Sequence, residues 1–159
     1  MSLVVKSQSF TVVLAPAEVA NAIDDAVIDT LLEMVGTSTS GAFDLGAHRA
    51  ILLACERARI VQRPQNPAMV YFVIEGSEDE ESWALDKVTV DGWKDLRLAM
   101  DLPSGKLVVR DALGASKQEL SAPAGPYKLL EYRGSDPEDG TRSWVCLLAS
   151  KSVWDKLAG

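Results

Sequence analysis

The chain has 159 residues, 47% of them hydrophobic and 25% charged, a balance that excludes wholesale disorder and fits one globular domain over residues 1–159. A net charge of −7 speaks against general nucleic-acid binding, which needs clustered Lys and Arg to neutralise phosphates. No apolar run approaches the roughly 20 residues that cross a bilayer, and the opening MSLVVKSQSFTVVLAP lacks a cleavage pattern, so a cytoplasmic protein is expected.

In chain order, SFTVVLAP is rich in Val and Thr and predicts a first strand over residues 9–14. Pro16 then opens AEVANAIDDAVIDTLLEMVG, where Val19, Ile23, Val27 and Leu31 recur at four-residue steps. Ile28, Leu32 and Val35 widen that stripe, with Pro16 near the first turn and Gly36 just past the end, which is the pattern of a helix. Asp25, Asp29 and Glu33 share one spacing of four and would make an acidic ridge along it. Residues 37–48 begin as a loop. RAILLACERARIVQRP suits either a helix or one long strand, because Ile51 and Cys55 fit both periods, and Pro64 ends it either way. AMVYFVIE, residues 68–75, is a buried strand by its β-branched and aromatic content.

The tract EGSEDEESW follows, with Glu78, Asp79, Glu80 and Glu81 consecutive. DKVTVDGW predicts a short strand. In DLRLAMDLPSGKLVVRD, Leu96, Leu98, Met100 and Leu102 alternate with Asp95, Arg97 and Asp101, and PSG turns the chain, which reads as a half-buried hairpin with a polar outer face. KQELSA has the lysine and glutamate of a protected edge strand. PAGP leads into a strand at YKLLEYRG, GSDPEDG makes an acidic turn, SWVCLLAS is the last core strand, and VWDKLAG ends in a short helix. The expected fold class is mainly β: a largely antiparallel β-sandwich of about seven strands with one or two helices.

Chemistry-bearing constellations are sparse. His48 is the sole histidine, and with Cys55 and Cys146 in apolar contexts it makes too thin a ligand set for zinc. No GxSxG elbow, EF-hand spacing or Gly-rich phosphate loop occurs. No catalytic residue, metal or cofactor is therefore expected. Asp95 and Asp101 read as solvated alternation rather than a catalytic carboxylate pair, and the basic RARIVQR as a counterweight to an acidic segment.

What remains is charge placement. No base lies between Lys6 and Arg49 or between Arg63 and Lys87, while acids recur in both spans. Clustered carboxylates steer a basic protein into contact and imitate phosphate spacing. The candidate partner-binding residues are Glu78, Asp79, Glu80 and Glu81, with Trp83 as a desolvated anchor and Asp25 and Asp29 as a second array. The other reading is a small-molecule or carbohydrate-binding sandwich, with Trp93, Tyr127, Tyr132 or Trp144 lining a cleft.

The order of elements, from SQSFTV through a helix, AMVYFVIE, an acidic loop and DKVTVDGW to APAGPYKLLEY, resembles the competence protein J family of bacterial nuclease inhibitors. Pro123, Gly125 and Tyr127 stand where that family has a proline–glycine turn followed by tyrosine and a strand. Residues 48–63 look like an insertion, and DGW departs from the proline–aromatic end expected after VTV. The resemblance implies a non-enzymatic cytoplasmic inhibitor of a nuclease; none of the family's contact residues is carried over.

Overall fold

The computed structural model describes residues 2–6, 11–20, 33, 40–45, 48–75, 94–111, 117–135 and 142–158. Within them the chain forms eleven strands in two antiparallel sheets, the expected β-sandwich. The first sheet holds β1 (Ser2–Lys6), β5 (Arg57–Gln62), β6 (Met69–Glu75), β11 (Arg142–Ser150), β10 (Gly125–Ser135) and β7 (Lys94–Leu102), in that spatial order. The second holds β3 (Ser40–Leu45), β4 (His48–Leu53), β2 (Val12–Pro16), β8 (Lys106–Asp111) and β9 (Lys117–Ser121). Helix α1 (Ala17–Ala20) follows β2, and α2 (Lys151–Ala158) follows β11.

Alternation along the strands builds the layers, because successive side chains point to opposite faces. Val12 and Leu14 on β2, Ile51 and Leu53 on β4, Phe72 on β6, Leu129 on β10 and Leu148 on β11 meet between the sheets. Their neighbours in sequence face the other way. Val61, Met69, Tyr71, Val73, Leu130, Val145, Leu147 and Ala149 form a second apolar cluster on the outer face of the six-stranded sheet, with Val153 of α2 packed against it. A sheet buried on both faces explains why AMVYFVI and WVCLLA read as unbroken apolar runs rather than as alternating ones.

Several expectations need correction. The strand expected at 9–14 is described as Val12–Pro16, and an earlier strand, Ser2–Lys6, precedes it in the other sheet. The ambiguous stretch 49–61 is two strands, β4 and β5, separated at Ala54–Glu56. They belong to different sheets, so this segment crosses the sandwich. His48 opens β4 opposite Leu45 rather than lying in a loop. Of the long helix, helical backbone is described for Ala17–Ala20 and at Glu33; the remainder, and the strand expected at 86–93, lie outside the described residues.

The most instructive correction concerns the expected hairpin. Both of its strands form, and Leu96, Leu98, Met100 and Leu102 do face the core while Arg97 and Asp101 are exposed. Yet β7 pairs with β10, and β8 pairs with β2 and β9. The turn at Pro103–Gly105 carries the chain from one sheet to the other. Gly105 makes that turn possible: its φ is +71°, its N–H donates to the Leu102 carbonyl at 3.1 Å, and its own carbonyl accepts from the Ala122 N–H at 2.8 Å. A Cβ at this position would stand 2.3 Å from the Ala122 oxygen, so a side chain is excluded by space as well as by backbone conformation.

The edges are managed in the way the sequence indicates. β9 pairs with β8 alone and shows solvent Lys117 and Glu119, as expected of a protected edge. β7, at the edge of the six-stranded sheet, is interrupted by a bulge. Leu98 stands opposite Leu129 but Asp95 stands opposite Leu130, so Leu96 and Arg97 are inserted, with Arg97 at φ +60°.

Candidate functional site

One end of the six-stranded sheet gathers the candidate features. The antiparallel register places Lys6 opposite Arg57, Glu75 opposite Trp144, Ser135 opposite Arg142, and Lys94 opposite Glu131. The last residues of β1, β6 and β10 and the first residues of β5, β7 and β11 therefore lie at the same end. Two connections join strands here: residues 76–93 link β6 to β7, and residues 136–141 link β10 to β11. In sequence these two segments hold nine carboxylates and one lysine, which exceeds the net charge of −7 carried by the entire chain. The rest of the protein sums close to neutral, although the span from Ser7 to His48 is itself acidic and free of Lys and Arg, and two of the acidic tracts are connections anchored on one sheet end.

Among the described residues, exposed bases outnumber exposed acids at that end, where Glu56 stands beside Arg57. Lys6, Arg57, Lys94 and Arg133 are all exposed there. Arg133 and Trp144 stand opposite each other on β10 and β11, on the face turned toward the second sheet. The guanidinium lies 4.1 Å from the centroid of the indole, and its Nε donates to a Glu131 carboxylate oxygen. Two residues apart on one strand, Glu131 and Arg133 share a face, and this permits the ion pair. Glu131 is 8% exposed, so the Arg133 guanidinium, which reaches solvent, gives a polar partner to a carboxylate that water scarcely touches.

Beneath this stack the site becomes apolar. Cys146 is paired with Glu131 in the β10–β11 register and, like Cys55, belongs to the core between the sheets. Burial pushes the Cys55 thiol up to about 12, with a backbone hydrogen bond at Arg57 partly opposing it. Burial raises Cys146 as well, reinforced by the negative charge of Glu131. A thiol held protonated in this way is a poor nucleophile and a poor metal ligand. Both cysteines are free, as the apolar contexts of the sequence indicate. Among the described residues, no group of three His, Cys, Asp or Glu side chains is placed to hold a metal ion.

The residues singled out from sequence fare unevenly. Glu78, Asp79, Glu80, Glu81 and Trp83, and likewise Asp25 and Asp29, lie outside the described residues. For the first five, the flanking anchors Glu75 and Lys94 are described; for the helix pair, the nearest are Ala20 and Glu33. Among the described residues, the aromatics of the other reading do not converge on one cleft. Tyr127 is buried between the sheets and donates its hydroxyl to the Pro123 carbonyl at 2.7 Å. Trp144 packs against the same core beneath Arg133, whereas Tyr132 packs on the opposite face of the sheet; Trp93 lies outside the described residues. Arg63, from the basic RARIVQR tract, sits over the Tyr71 ring at 5.7 Å. The Arg133–Glu131–Trp144 arrangement escaped the sequence reading. Its signal was the E-x-R spacing on one strand, legible only once the register with β11 was known.

No family model matches the chain, and neither the curated proteins nor the solved structures contain a significant match to it.

Proposed function

We propose that this protein is a non-enzymatic, acidic protein-binding β-sandwich, an inhibitor or immunity-type protein that blocks a basic nuclease or toxin. The observation that carries this reading is the anchoring of both acidic connections, 76–93 and 136–141, at one end of one sheet, with an excess of carboxylates larger than the chain's net charge. Converging carboxylates focus a negative potential that accelerates and orients encounter with a positively charged surface. A nuclease active site, built to receive phosphates, meets there an array of similar charge with no bond to cleave. Glu78, Asp79, Glu80 and Glu81 are the primary contacts, Trp83 the apolar anchor, and Asp25 and Asp29 an auxiliary array. The resemblance to the competence protein J family points to a nuclease as the class of partner.

The test is affinity capture from the source cell with the wild-type protein and with Glu78, Asp79, Glu80 and Glu81 all changed to Ser, at low and moderate salt. A basic nuclease or toxin retained by the wild type, weakened by salt and lost with the variant is the expected result. Equal retention by both proteins would remove the acidic tract from the interface. A captured partner with no basic surface would overturn the reading itself.

A further inference from the structure

We draw no further inference here: the strongest candidate, the Glu131–Arg133–Trp144 cluster above Cys146 at the end of the six-stranded sheet, belongs to the rim already described, and nothing in the structure shows what ligand or partner would cover it.

Discussion

The Arg133 guanidinium rests on the Trp144 indole 4.1 Å from its centroid, while its Nε is held by Glu131, so one exposed cation couples two strands to a buried carboxylate. The three side chains act as a unit at the end where the acidic connections are anchored.

Changing Arg133 to Ala removes the cation–π contact, about 0.5–1 kcal/mol at a partly exposed site. It also strands Glu131, at a cost of roughly 1–3 kcal/mol for a buried group that loses its partner. The expected outcome is a fall in urea midpoint that Glu131→Gln partly restores in the Arg133→Ala background, since the neutral amide needs no counter-charge. A double variant no more stable than Arg133→Ala would show that the ion pair does not couple the two residues.

Gly105→Ala should be among the most damaging single changes in the protein. The left-handed backbone at φ +71° costs an alanine about 1 kcal/mol or more, and the Cβ collides with the Ala122 carbonyl. Chemical denaturation should register a loss of at least ~2 kcal/mol, within the range of strained-backbone and steric substitutions. Gly125, whose φ is +132° but whose Cβ would meet nothing within 4 Å, provides the comparison. Its alanine variant should suffer from backbone strain without the collision.

The two cysteines should resist thiol reagents in the native state at pH 8 and react fully once the chain is unfolded, because burial keeps both protonated. The same burial sets a pH dependence. From pH 9, the ordinary value, to about 12 for Cys55, the folded chain holds a thiol proton that the unfolded chain has released. The native state then binds more protons, so stability falls as pH rises through this window and is unaffected by these groups below it. Denaturation midpoints measured from pH 8 upward should decline, and Cys55→Ala should flatten part of that decline.

Charge removal at the two ends of the sheet should have unequal effects on partner binding. Replacing Asp136, Glu138 and Asp139 by Ser should weaken capture of the same basic partner that the Glu78–Glu81 variant loses, because both tracts are anchored at the same end. Asp101→Ser, exposed near the opposite end of β7, should leave binding and its salt dependence unchanged. Equal losses per charge removed, with Asp101→Ser costing about one third of the triple change, would mean that net charge, not its location, governs the interaction.

Much of this was legible from the residues alone. Period-two alternation from Leu96 to Leu102 fixes which side chains are buried, Pro103 and Gly105 mark a turn, and Lys117 and Glu119 mark an edge, all through local chemistry that needs no neighbour. The apolar setting of Cys55 and Cys146 foretold inert thiols, and the carboxylate run at 78–81 stands out in any reading. Tertiary structure decided the rest. Alternation says that one face of a strand is covered but not which strand lies beside it, so β7 and β8, adjacent in sequence, occupy different sheets. The 49–61 segment divides for the same reason, as its two halves bury apolar faces in opposite layers of the sandwich. That Glu75, Lys94, Ser135 and Arg142, the strand residues flanking 76–93 and 136–141, belong to one end of the sheet follows from the β6–β11–β10–β7 register, a set of long-range backbone hydrogen bonds that no local pattern encodes.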